Sequence, residues 1–123
     1  MTFANTDKEI TLIYNSEEHI GKQILALAQI ENISIHDIDL QNMKLTPTHW
    51  AELAVRIGIK VSELVNTEDA SFLQKFGKTD QFSDDDWLKL LVNNPSILRA
   101  PIVMKGDKIV MMNNPQDMLR FVK

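Results

Sequence analysis

Cysteine is absent from all 123 residues. That single absence removes disulfides, thiolate metal sites and any thiol nucleophile. It does not choose a compartment, because a chain without thiols is indifferent to redox poise. Long apolar runs are missing as well, and no stretch approaches the roughly 18 residues that a membrane span needs. The opening Met1-Thr-Phe-Ala-Asn-Thr-Asp-Lys-Glu9 has no basic region followed by an apolar run, so no signal peptide is expected. Cytoplasmic residence is the default expectation. Basic charge is scarce: thirteen Lys and Arg stand against seventeen Asp and Glu, a net charge of −4. Broad binding to nucleic acid or to an anionic membrane surface needs a basic face, and neither is expected. Glycine and proline number four each, with no linker, repeat or low-complexity tract among them. A hydrophobic content of 44% beside 24% charged residues is that of an ordered globular chain. One domain over residues 1–123 is expected, with the polar residues 1–8 flexible.

Within those bounds the chain reads as alternating elements. Ile10-Thr-Leu-Ile-Tyr14 is a short β-branched apolar run, the pattern of a buried strand. Asn15 and Ser16 are N-cap types, and Glu18 stands three residues after Asn15 at capping-box spacing. Ile20, Ile24, Leu27 and Ala28 follow helical spacing, which predicts a helix from about Glu17 to Ile30. Ile33 and Ile35, then Ile38 and Leu40, predict a second strand with a register change near His36-Asp37. A helical block is expected over about 46–94. It opens with Thr46 as cap and Pro47 at the first helical position; Trp50, Leu53, Ala54 and Ile57 form the apolar face, and Gly58 the stop. Shorter helical pieces follow around Val61–Val65 and Asp69–Phe76. Ser83 then caps a helix whose first turn is Asp84-Asp-Asp86, carboxylates suited to the dipole and alternatively a cation site. Ile102-Val-Met104 and Ile109-Val-Met-Met112 flank a Gly-Asp pair, the signal of a hairpin. Asn114 and Pro115 open a last helix running through Phe121. Trp50 and Trp87 read as packing residues, with Trp50 the more exposed of the two. Met104, Met111, Met112 and Met118 read either as core filler or as an adaptable recognition surface.

The order β-α-β, a helical insertion, then β-β-α resembles the thioredoxin-like fold, an α/β class with a mixed sheet flanked by helices. Four segments narrow the resemblance: Ile13-Tyr-Asn-Ser-Glu-Glu-His-Ile-Gly-Lys-Gln23, Leu45-Thr-Pro-Thr-His-Trp-Ala-Glu-Leu-Ala-Val-Arg-Ile-Gly58, Asn94-Pro-Ser-Ile-Leu-Arg-Ala-Pro-Ile-Val103 and Asn113-Asn-Pro-Gln-Asp-Met-Leu119. They are similar, in order, to the segments of glutaredoxin-coupled arsenate reductases and their Spx-like relatives. The family's Tyr-x-x-Pro-x-Cys pattern, counted from Tyr14, places the nucleophilic cysteine at His19. The second cysteine of Spx-like members falls on Lys22. The arginine that precedes the family's cis-proline falls on Ala100, with Arg99 one place earlier, and the last-helix arginine falls on Asn114. A third family arginine, near Leu64-Val-Asn-Thr67, has no counterpart. The resemblance also implies a cis bond between Ala100 and Pro101.

Those replacements have a chemical meaning. Arsenate reduction of this type needs a thiolate to attack arsenic. Imidazole can carry a proton or accept a phosphoryl group but cannot form an arsenic–sulfur intermediate. Glu17 and Glu18, expected at the helix start, would satisfy the dipole themselves and repel an oxyanion. Arsenate reductase activity is therefore not expected. The expected role is a non-catalytic module that binds a protein partner, as Spx-like relatives do. The alternative is a binder or enzyme for a small thiol or acidic metabolite in the cleft between His19 and Pro101. That candidate cleft comprises Tyr14, Asn15, Glu17, Glu18, His19, Lys22, Arg99, Ala100, Pro101 and Asn114. His19 itself reads either as a proton-transfer or phosphate-accepting group or as a plain exposed first-turn residue. No cofactor is expected. No metal is expected either, since His19, His36 and His49 lie far apart and no pair stands at i, i+4 spacing.

Overall fold

The computed structural model describes residues 9–79 and 81–122. The flexibility expected of residues 1–8 concerns positions outside them. Two compact units are built from the chain: one runs through Lys44 and resumes at Ala100, and the other is Leu45–Arg99.

The first unit holds the sheet. Strands β1 (Ile10–Tyr14), β2 (Ile35–Asp39), β3 (Ile102–Lys105) and β4 (Lys108–Met111) stand in the order β2-β1-β3-β4. β1 pairs parallel to β2 and antiparallel to β3, and β3 pairs antiparallel to β4. The sheet is thus mixed, as expected for the thioredoxin-like order. All five residues of β1 are buried, which is why that strand carries apolar residues on both faces and does not alternate apolar with exposed polar positions. The β3–β4 hairpin turns on Gly106 and Asp107. Gly106 has a φ of 58°, a positive value at the first of the two central residues, where a two-residue hairpin turn favours glycine.

Helix α1 (His19–Ile30) crosses from β1 to β2, and α5 (Asp117–Phe121) follows β4. Ile10, Leu12, Tyr14, Ile24, Val103, Met112 and Met118 form a buried cluster, with Ile20, Leu25, Leu27, Ile35, Phe121 and Val122 packed against it. Met104, Met112 and Met118 are buried and Met111 half-buried, so the methionines serve mainly as core.

Several expectations need correction. The β1–β2 ladder runs unbroken from Ile10↔Ile35 to Tyr14↔Asp39, with no register change at His36-Asp37. The apolar parity shifts because Asp37 takes the position beside Leu12, where its carboxylate accepts the Tyr14 hydroxyl at 3.0 Å. Ile38 is then buried on the opposite face from Ile35. The last helix begins at Asp117, later than Asn114-Pro115. The Asn114 side chain instead accepts the Gln116 N–H, and its carbonyl accepts that of Asp117, so residues 114–116 form a turn that competes with helix. The Ala100–Pro101 bond is trans, since no cis peptide occurs among the described residues. Ala100 and Pro101 are both buried at the start of β3, and the Pro101 carbonyl accepts the Met112 N–H at 2.8 Å. The trans chain therefore enters the ladder directly.

The second unit is helical: α2 (Pro47–Ile57), a 3₁₀ turn (Val61–Leu64), α3 (Ala70–Phe76), α4 (Asp84–Asn93) and a second 3₁₀ turn (Pro95–Ile97). Thr46 caps α2 by accepting the His49 N–H, while His49 Nδ1 accepts the Thr46 N–H. This is a capping box with histidine in the place usually held by Glu or Gln. Ser83 and Asp86 form a second box at α4, and the backbone and hydroxyl of Ser83 hold the Asp86 carboxyl below the usual carboxylate range. Asp84–Asp86 are thus helix-start residues. Trp50 is 1% exposed and Trp87 6%, which reverses the expected order. Trp50 lies on the side of α2 that also carries buried Leu53 and Ala54. Trp87 stacks on Phe72 with ring centroids 6.1 Å apart.

Candidate functional site

β1 ends at Tyr14, and four residues later the chain becomes α1. That turn and its two flanking residues carry half of the residues singled out from the sequence. The Glu18 N–H donates to the Asn15 carbonyl at 2.9 Å, closing a turn over residues 15–18. Asn15 Oδ1 accepts the Glu17 N–H at 2.9 Å and Gln41 Nε2 at 2.8 Å. The Asn15 side chain is committed to the turn, and its Nδ2 is buried without a partner among the described residues. This replaces the expected capping box. The N-cap of α1 is Glu18, whose side chain makes no cap bond, and the first turn contains no acidic residue. Glu17 and Glu18 are exposed just ahead of the helix, not inside it.

His19 is the first helical residue and is exposed. Lys22, one turn further along, is exposed as well. Neither makes a side-chain hydrogen bond or ion pair among the described residues, so nothing in this unit orients the imidazole as a base. Register brings Pro101 to the same end of the sheet: Ile13 pairs with Ile102, and one step further Tyr14 stands beside Pro101. Ala100 is buried beside it and offers no charge. Asn114, exposed, is engaged in the turn before α5. Arg99 belongs to the Leu45–Arg99 unit, where its N–H donates to the Leu64 carbonyl at 2.7 Å.

Two carboxylates that sequence reasoning left aside organise this end of the sheet. Asp39 Oδ1 accepts the Ser16 and Gln41 N–H groups at 3.1 and 3.0 Å. Burial pushes the Asp39 carboxyl up, but hydrogen bonds from the Ser16 hydroxyl and from the Gln41 and Ser16 backbones outweigh it, and the group is held below its ordinary value. Asp37 accepts the Tyr14 hydroxyl. Burial first, then that bond and the charges of Asp37 and Asp39, push Tyr14 from 10 to about 12. The one legible signal was a pair of aspartates inside an apolar strand, Ile35-His-Asp-Ile-Asp39, which a purely structural strand seldom carries.

The chemistry open to this arrangement is narrow. A backbone turn already bound to an internal carboxylate has less to offer an external anion. The phenol beside it stays protonated through neutral pH. The strongest nucleophile here is an unoriented imidazole. Among the described residues, no group of three or more His, Asp or Glu side chains is placed to hold a metal, and no helix is long and apolar enough to cross a membrane.

Comparison with known proteins fits this geometry into a wider group. None of the curated protein sequences matches the chain. Among solved structures, an arsenate reductase from Vibrio cholerae superposes with a TM-score of 0.77 at 18% identity, covering 94% of this chain and 98% of that one. A Staphylococcus aureus protein superposes with a TM-score of 0.69 at 22% identity, covering 91% and 96%. At such identities the likeness establishes the thioredoxin-like fold alone. A sequence-family model reaches further, because it matches residues 6–121 and carries the description ArsC family. By that match over nearly its full length, the chain belongs to the ArsC family.

Proposed function

We propose that this chain has given up thiol redox chemistry and works as a non-catalytic, cytoplasmic module that binds another protein, in the manner of Spx-like relatives. The observation that carries the reading is the absence of cysteine from the whole sequence. The thiolate is both the nucleophile and the electron donor of the glutaredoxin-coupled reaction, and no other side chain replaces it in both roles. The structure at positions 15–19 supports the same reading. The Ser16, Glu17 and Glu18 N–H groups are tied to Asn15 and Asp39, and His19 has no partner there to make it a base. Natural selection for a buried, capped and closely packed scaffold without that reaction fits a role exercised through the surface.

Two measurements test this together. Purified protein incubated with arsenate, glutathione and glutaredoxin is expected to give no turnover above the protein-free rate. An epitope-tagged copy at native expression level is expected to bring down one specific partner. Turnover, or repeated recovery of nothing beyond the untagged control, overturns the reading.

A further inference from the structure

A pocket of about 490 Å³ opens at the β4 edge of the sheet, where that strand meets α5. None of its lining residues belongs to the turn into α1, and it plays no part in the proposed function. Its character follows from strand parity. Val110 pairs with Val103, whose side chain belongs to the buried cluster beneath α1 and α5. Lys108, Val110 and Met112 therefore share that face of β4. Met112 is buried, Phe121 of α5 is half-buried, and Val110 stays 38% exposed at the free edge of the sheet. These three make an apolar floor that the chain leaves partly uncovered.

Charge sets the rim. Lys108 and Arg120 both line the pocket, with Asp117 beside Arg120. Among the lining residues two cations stand against one carboxylate, in a chain whose net charge is −4. One amino group of Arg120 binds Asp117 Oδ1. A guanidinium has five N–H donors, so this pair leaves donors for a second carboxylate. An exposed pair of this kind is weak and readily exchanges partners. The pocket volume falls within the range of small-ligand sites, roughly 300–1,000 Å³. A single apolar body with a single anionic head matches its floor and rim.

We propose that this pocket binds a small amphiphile, an aliphatic chain ended by a carboxylate. The chain lies on Val110, Met112 and Phe121, and the carboxylate sits between Lys108 and Arg120. Each methylene on the floor then contributes by leaving water, and the two cations choose the sign of the head group.

Sodium octanoate is the probe, titrated below its micelle concentration into ¹⁵N-labelled protein. Saturable shifts are expected at the amides of Val110, Met112, Arg120 and Phe121. Shorter carboxylates should bind more weakly, by up to about fourfold per methylene removed. Octylamine, with the same chain and a cationic head, should produce no saturable shift there. The exposed double variant K108Q/R120Q should bind octanoate at least tenfold more weakly while keeping the wild-type circular dichroism spectrum, and D117N, which frees Arg120, should bind it more tightly. The proposal is overturned if those amides do not saturate, if octylamine binds as well as octanoate, or if the double variant binds unchanged. The octanoate–octylamine comparison uses wild-type protein, so it decides the matter even if a variant fails to fold.

Discussion

A Cβ placed on Gly21 would stand 2.6 Å from the Cβ of Tyr14 and 2.7 Å from its Cδ2. This contact is what lets α1 lie directly on β1. Gly21 is buried in the first turn of α1, where glycine costs helix stability relative to alanine by up to about 0.5–1 kcal/mol. The clash decides against alanine, because the obstructing Tyr14 Cβ is fixed to the strand backbone and cannot swing aside. Gly21→Ala is therefore expected to destabilise the protein by about 1–2 kcal/mol net, the overpacking cost exceeding the propensity gain. Urea unfolding followed by far-ultraviolet circular dichroism measures this directly; an unchanged or raised midpoint would show that α1 moves off the strand freely.

Tyr14 is the only tyrosine in the chain, so tyrosinate absorbance reports it without interference. Its hydroxyl should remain largely protonated at about pH 11, where an ordinary phenol is mostly ionised, because the group is pushed up to about 12. Removing the Asp37 charge in Asp37→Asn should bring the titration down towards 10 without abolishing the shift, since burial is the first cause. The sign for stability follows. A folded-state value above the unfolded one contributes stability that is complete below about pH 10 and is lost as pH rises towards 12. Alkaline unfolding should accordingly begin in that window, and a phenol titrating at 10 in native protein would remove the basis for it.

Asp39 acts in the opposite direction. Its carboxyl is held below the ordinary range by the donors of Ser16 and Gln41, so its contribution is present above about pH 4 and is lost as pH falls through the folded value. Asp39→Asn should lower stability at neutral pH, and the gap between variant and wild type should narrow in acid. Denaturation curves at about pH 7 and pH 3 test this. A gap of constant size would mean that the carboxylate charge is irrelevant and only the shape of the side chain matters.

The sequence revealed the order of elements because their signals are local. Thr46-Pro47, Ser83 and the Gly106-Asp107 turn each carry their chemistry within four residues, and the hairpin and helices fall where those residues indicate. It misplaced what depends on partners far along the chain. Its spacing to Glu18 marks Asn15 as a helix cap, yet its oxygen is claimed by Glu17 and by Gln41, 26 residues away. Asp37 reads as a break in strand pairing because its partner, the Tyr14 hydroxyl, is not visible from β2 alone. Gly21 gave no warning, since a glycine inside a helix reads as a mild penalty until the strand beneath it is in place. Trp50 reads as the more exposed tryptophan, yet it is buried together with His49, Leu53 and Ala54 on α2.

The reciprocal bonds of Thr46 and His49 make a separable test. Thr46→Ala removes the acceptor for the His49 N–H and should cost about 1 kcal/mol, within the usual range for a lost N-cap. Thr46→Ser keeps the hydroxyl and should recover most of it. Thermal unfolding of the two variants distinguishes a lost hydrogen bond from a lost methyl: equal destabilisation by both would assign the effect to packing.

His19→Cys restores the one group whose absence defines the chain, and it should not restore arsenate reduction. The position is exposed at the first residue of α1, so the new thiol should react readily with a disulfide reagent, and its lack of turnover could not be put down to inaccessibility. What remains missing is stabilisation of the oxyanion. Removing one such donor from an enzyme typically costs about 10²–10³ in rate, and here several are replaced together: Ala100 is apolar, Asn114 carries no positive charge, and the turn itself is bound to the Asp39 carboxylate. Glu17 and Glu18 add negative charge beside the thiol, which disfavours both the thiolate and an approaching arsenate. Arsenate-dependent oxidation of glutathione in the presence of glutaredoxin should stay at the wild-type background. Multiple turnovers by His19→Cys would mean that the fold still holds an anion cradle and that losing the thiol alone silenced it.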